Sequence, residues 1–182
     1  MKQLLTRCIV LLVAVGVAGG LAAQPPGSAG DPGLVAMKAI GWLAGTWRGE
    51  GWMRRGPGEP QPFRSSETVV SRLDGRVLIV EGLHHDNVSG DVVHHALATI
   101  SYDPSSGKYR FSSHLASGQS GEYEADLVDG KFVWGMEIPN HGRMRYAIHI
   151  DGDRWHEIGE FSADGQEWHQ SFQMDLVRVG DE

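Results

Sequence analysis

Only one cysteine, Cys8, occurs in the 182 residues, and it falls inside an apolar stretch near the start. Downstream of it there can be no disulfide, no thiolate nucleophile and no cysteine-ligated metal. Basic runs are as scarce: none exceeds Arg54-Arg55, and the net charge is −7. A surface without a basic stripe cannot neutralise a row of phosphates, which excludes nucleic acid as a partner. Long apolar runs are also missing. The best candidate, Ile9 to Leu21, is broken by glycines and falls short of the ~20 residues a membrane helix needs.

That same segment, with Lys2 and Arg7 before it and Ala22-Ala23 after it, has the layout of a secretory signal peptide. The expectation is a leader over 1–23, cleaved after Ala23 or one position earlier, and export to a bacterial periplasm. Contact with the membrane is then made only through the cleaved leader. Leu5-Thr6-Arg7 sets a charge where a lipoprotein would carry small residues before its cysteine, so no lipid anchor is expected. Residues 24–32, rich in Pro, Gly and Ser, read as a flexible spacer. The remainder, 33–180, suits one domain large enough to hold together by its core alone.

From Gly33 to Leu43 the apolar residues Leu34, Met37, Ile40 and Trp42-Leu43 recur at helical intervals, which predicts one short helix. Thereafter the period is two. Strand-like segments alternate with turn signals such as Leu73-Asp74-Gly75, Asp129-Gly130 and Asp151-Gly152-Asp153 as far as Val179. About ten short strands without a crossover helix predict an all-β, up-and-down antiparallel β-barrel; closure is favoured over a sandwich because it removes exposed edges.

Pairing His85 with Val92 and Tyr102 with Tyr109 sorts three strands into two faces. The more apolar face, expected inside, carries Ile79, Glu81, Leu83, His85, His94, Ala96, Ile100, Tyr109 and Phe111. The other carries Leu78, Val80, His84, His95, Leu97 and His114. On the inner face His85 and His94 would lie diagonally, roughly 7–8 Å apart. With Glu81 and Tyr109 they form a candidate polar patch, to anchor a ligand or merely to bond one another near a rim. His84, His95 and His114 could hold zinc only if three successive strands aimed them together. No Gly-x-Ser-x-Gly elbow or cysteine argues for nucleophilic catalysis. Glu137, Glu157 and Glu160 read as ordinary exposed acids.

The run Trp42-Leu43-Ala44-Gly45-Thr46-Trp47-Arg48-Gly49-Glu50-Gly51 resembles the opening strand of calycin barrels. More narrowly, it resembles nitrobindin-like, haem-binding β-barrel domains and their secreted bacterial relatives. Ile100-Ser101-Tyr102-Asp103, Asp153-Arg154-Trp155 and Phe172 to Arg178 extend the likeness over most of the chain. The resemblance implies a helix stopped by Gly45, a plug at Trp47, sharp coiling at Gly49 and Gly51, and Arg178 packed over Trp47. It also implies haem as a cofactor on a late histidine. His169 is the only one on the last strand, with His94 and His149 as further candidates. Strict alternation, however, puts His169 on the face opposite Phe172, Met174 and Leu176.

Three readings follow. The first is a lipocalin-like barrel that binds a small apolar or amphipathic molecule against Met144, Tyr146, Ile148, Phe172 and Met174, oriented by Glu81, His85, His94 and Tyr109. The second is a haem barrel with reactive-nitrogen chemistry. The third is a filled barrel that serves the cell envelope through a protein partner.

Overall fold

The computed structural model describes residues 30–180. The expected leader and most of the expected spacer lie outside the described residues. Asp31 opens the helix α1, Pro32–Ala39: its carboxylate accepts from the backbone of Gly33 and Leu34 at 2.9 and 3.1 Å, with Pro32 in the first turn. The helix does not run on to Leu43. Ile40 leaves helical geometry at φ −109° and ψ 8°, and the chain tightens into a 3-10 turn, Gly41–Leu43. The break aims Met37, Ile40 and Leu43 at one spot, where all three are buried.

Ten strands follow: β1 (Gly45–Met53), β2 (Gln61–Arg72), β3 (Val77–Asp86), β4 (Val92–Asp103), β5 (Lys108–Leu115), β6 (Ser120–Val128), β7 (Lys131–Ile138), β8 (Gly142–Asp151), β9 (Arg154–Ser162) and β10 (His169–Val179). Each pairs antiparallel with the next, and β10 returns to β1 to close the barrel. Tight turns join the strands at the pole where β1 begins. In Asp129-Gly130 both residues have positive φ, 50° and 74°, as a two-residue hairpin requires. The longer connections, 54–60 and 163–168 among them, ring the opposite pole.

Helix α1 and the 3-10 turn cap the first pole. The Tyr109 hydroxyl donates to the Ala36 carbonyl at 2.8 Å, and Arg76 pairs with Asp31 at 2.9 Å. Trp47, fully buried, donates from its indole nitrogen to the Leu43 carbonyl at 3.0 Å and meets Trp155 edge-on at 5.5 Å. Arg178 covers it, guanidinium carbon 4.0 Å from the ring centre, and donates to the carbonyls of Ala44 (2.6 Å) and Trp42 (3.2 Å). Asp153 accepts from its Nε at 3.1 Å.

Gly45 does not stop the helix; Ala44 caps the 3-10 turn, and Gly45 begins β1. Its φ of +140° and its missing Cβ leave room for the Arg178 guanidinium, which a side chain would displace. At Gly49 a Cβ would strike the Asp175 carbonyl on β10, and at Gly51 the ring of Phe63 on β2.

Two β-bulges fix the side-chain parity. His85 pairs with Val92 and Tyr102 with Tyr109, but His84 pairs with His94, so Val93 is extra. The second bulge lies on β10: Gln170 pairs with Glu160 and Phe172 with Gly159, leaving Ser171 over.

The Arg178 contacts unite a cation–π pair with charged hydrogen bonds to two carbonyls. Arg178→Ala is therefore expected to lower the unfolding free energy by about 2–4 kcal/mol. Urea unfolding of the variant checks this, and a loss below about 0.5 kcal/mol would show that the contacts are idle.

Candidate functional site

The interior above the Trp47 plug is a cavity of about 1370 Å³ that opens at the pole away from the helix. Leu43, Ile100 and Trp155 line it near the capped pole, while Arg54, Arg55 and His141 stand on connections at its mouth. A belt of rings surrounds the space. Trp134 stacks on Tyr146 at 4.5 Å and 13°, and Phe111 lies 4.5 Å from Trp134. Phe63 stacks on His84 at 4.4 Å and 2°, with Phe172 5.7 Å beyond Phe63. Where β9 crosses this belt it carries Gly159, and the Tyr146 ring lies over that bare Cα.

Met144, Tyr146, Ile148, Phe172 and Met174, the expected apolar contacts, all line the cavity, and so does His94. Glu81 and His85 do not. The bulge at Val93 shifts β3 by one position relative to β4, which turns Leu78, Val80, Gly82 and His84 inward. Glu81 therefore stands outside, where it accepts from or shares a proton with His95 at 3.1 Å. Tyr109 is inside but occupied, tied to the helix at the capped pole. The zinc arrangement dissolves for the same reason: His84 points in, while His95 and His114 lie on the outer face.

Of the haem-ligand candidates, His149 lies on the outer wall in a shallow groove. The Ser171 bulge reverses parity along β10, so His169 shares the inner side with Phe172, Met174 and Leu176 instead of opposing them. It stands exposed at the mouth. His94 is the one candidate ring in the wall, 4.9 Å from His84, and no hydrogen bond engages it among the described residues.

The cavity also holds two acids: Glu157, expected to be an ordinary exposed acid, and Glu67, which no sequence pattern singled out. Glu67 on β2 is 6% exposed, and its Oε1 lies 3.1 Å from His84 Nε2 and 3.5 Å from the Ser65 hydroxyl, which donates to it. The carboxyl sits against Gly82, in the space a Cβ there would fill. Glu157 on β9 is 8% exposed and accepts from the Trp155 indole at 3.2 Å. Burial pushes both acids up to about 8, and the neighbouring Glu67 charge adds to the rise at Glu157. Burial likewise pushes His84 and His94 down to about 4. At neutral pH this interior is largely uncharged, and burial raises the Tyr146 hydroxyl as well. Among the described residues, one fully buried side-chain polar atom has no partner: His84 Nδ1.

Alternation on β9 held a usable signal. Trp155, Glu157, Gly159 and Phe161 share a face, and the two aromatic rings mark it as inward. For Glu67 the signal is weaker: alternation groups it with Phe63 and Val69 against Arg64 and Thr68, while Ser65 and Val70 blur the contrast.

No family model matches the chain, and no curated protein sequence matches it. Solved structures do. The crystal structure of Rv2717c from M. tuberculosis aligns with a TM-score of 0.60 at 15% identity, over 80% of this chain and 98% of that one. The S-type phycobiliprotein lyase CPES from Guillardia theta aligns at 0.55 and 10% identity, over 81% and 93%. At such identities the likeness shows the barrel fold and nothing finer.

The buried groups dictate how stability follows pH. An acid raised from its usual 4.5 to about 8 leaves the folded state holding a proton that the unfolded chain has released, so stability falls as pH rises through that window. A histidine lowered from 6.5 to about 4 acts oppositely, and stability climbs through its window. Two acids and two histidines nearly cancel between pH 4.5 and 6.5. Above pH 6.5 the acids act alone, each costing on the order of 1 kcal/mol per pH unit until about pH 8. Urea midpoints measured from pH 5 to 8.5 should show a plateau and then a decline. In a Glu67→Gln, Glu157→Gln variant the decline should disappear; its persistence would assign the slope to other groups.

Proposed function

We propose that this barrel is a binding protein for a small apolar or amphipathic molecule held in its central cavity. One observation carries the reading: the interior is not filled by its own side chains but leaves about 1370 Å³, open at one pole and walled by aromatic rings. Pockets for drug-sized molecules span about 300–1,000 Å³, so the space suffices for one such ligand with water beside it. A filled interior, which a purely partner-binding barrel would have, is not what the strands enclose. The likeness to a phycobiliprotein lyase adds a barrel of comparable shape to this support.

The neutral probe N-phenyl-1-naphthylamine, which brightens in apolar surroundings, tests the reading. It should bind saturably, and Ala96→Trp, which places an indole in the cavity wall, should weaken it by at least about tenfold. Binding that Ala96→Trp leaves untouched would locate the probe outside the barrel and overturn the reading.

The free imidazole of His94 in the wall supports a second reading, a haem in the same cavity that His94 would hold through its iron. Bound there, haem would supply an iron able to take a small diatomic ligand. Titration with hemin should then give a sharp Soret band that His94→Ala removes. A spectrum without that band, or one that survives the substitution, rejects the reading.

A further inference from the structure

The binding reading leaves the chemistry of the ligand's head open, and the distribution of charge-bearing groups along the cavity narrows it. Guanidinium groups line the cavity only at Arg54 and Arg55, both on the β1–β2 connection at the mouth. Deeper, beside the ring belt, the ionisable groups among the lining residues are Glu67, Glu157, His84, His94, Tyr123 and Tyr146. Arg55, which donates to the Val93 carbonyl at 3.0 Å, reaches His94, but a carboxylate head between Glu67 and Glu157 would find two acids and no cation beside it.

For a cationic head the same groups are complementary. Unpaired buried acids are costly unless something neutralises them, and the fold offers no lysine or arginine to do so at this depth. Trp134, Tyr146 and Phe172 line the same space, and an aromatic belt suits a cation, which an aromatic quadrupole attracts. His84 completes the set. It is 4% exposed, its Nε2 is engaged by Glu67, and its Nδ1 has no partner among the described residues. With Glu67 ionised, Nε2–H donates to the carboxylate and holds it at the cavity wall.

We propose that the cavity selects its occupant by charge, taking amphiphiles that carry a protonated amine or ammonium head between Glu67 and Glu157 in preference to carboxylates. The inference rests on the barrel being a binding protein and specifies which class it binds. On binding, the acid nearest the head releases its proton to solvent and becomes the counter-ion. The N–H groups of a primary amine donate to the ionised carboxylate, and the hydrocarbon tail extends past the belt toward the mouth.

Four probes with one ten-carbon chain test it by calorimetry at pH 7: decylammonium, decyltrimethylammonium, decanol and decanoate. Decylammonium should bind at least about tenfold tighter than decanol, and decanoate at least about tenfold more weakly than decanol. Decyltrimethylammonium should fall between decylammonium and decanol, since it keeps the charge and lacks the N–H. In Glu67→Gln, Glu157→Gln the ratio of decylammonium to decanol affinity should collapse to within about threefold of one. Decanoate equal to or tighter than decylammonium overturns the proposal, as does a double variant that keeps the cation preference. Decanol binding with no charge preference at all would refute the charge selection and leave the cavity reading standing, whereas no binding by any of the four would sink both. The ranking on the unaltered protein decides even if the double variant does not fold.

Discussion

Closing the sheet is the constraint on which everything else here depends. A barrel of ten antiparallel strands has no edge, but only if β10 finds β1, and these are the strands furthest apart in the chain. Arg178 is placed at that seam. Its guanidinium ties the last strand to the Trp42 and Ala44 carbonyls, which end the 3-10 turn without helical partners, while its flat face rests on Trp47. One side chain thus joins the cap, the first strand and the last. The bare Cα of Gly45 is what lets it come so close.

How much of this the sequence discloses varies with the kind of signal. Strand boundaries follow from turns whose glycines and aspartates accept positive φ, and such residues are visible one at a time. The opening Trp-Leu-x-Gly-x-Trp strand is a local pattern and equally visible. Parity is different, because it accumulates along each hairpin and is reversed by a single extra residue. Val93 and Ser171 look like any other strand residues, yet each inverts what lies beyond it. Through Val93, His84 and His85 exchange roles, and Glu81 passes from the expected pocket to the outer wall. Through Ser171, His169 joins the inner side it was denied.

The buried acids illustrate a second limit. A glutamate on a strand is exposed far more often than not, so composition argues against Glu67 and Glu157 until the neighbours are known. Glu67 is accommodated by a glycine on the adjacent strand, Gly82, and by an imidazole reaching from two positions further along. Neither is near it in sequence. Stability alone would favour an apolar side chain at both sites, since each acid must be held without its charge. Polar groups retained in an otherwise aromatic belt therefore mark the wall as a surface to be contacted as well as packed.

Both described ends of the chain, α1 and the last residues of β10, lie at the capped pole, as does Arg178. The five connections around the mouth touch neither end nor Arg178; the seam alone runs up to the mouth, where the Arg54 backbone N–H donates to the Ser171 carbonyl at 2.7 Å. The molecule is thereby divided into a hemisphere that determines whether it folds and a hemisphere free to change. Lengthening or rewriting a mouth loop alters who may enter without loosening the lock. A barrel fixed to a support by either end would face its opening away from the attachment, so a tether and a guest need never compete for the same space.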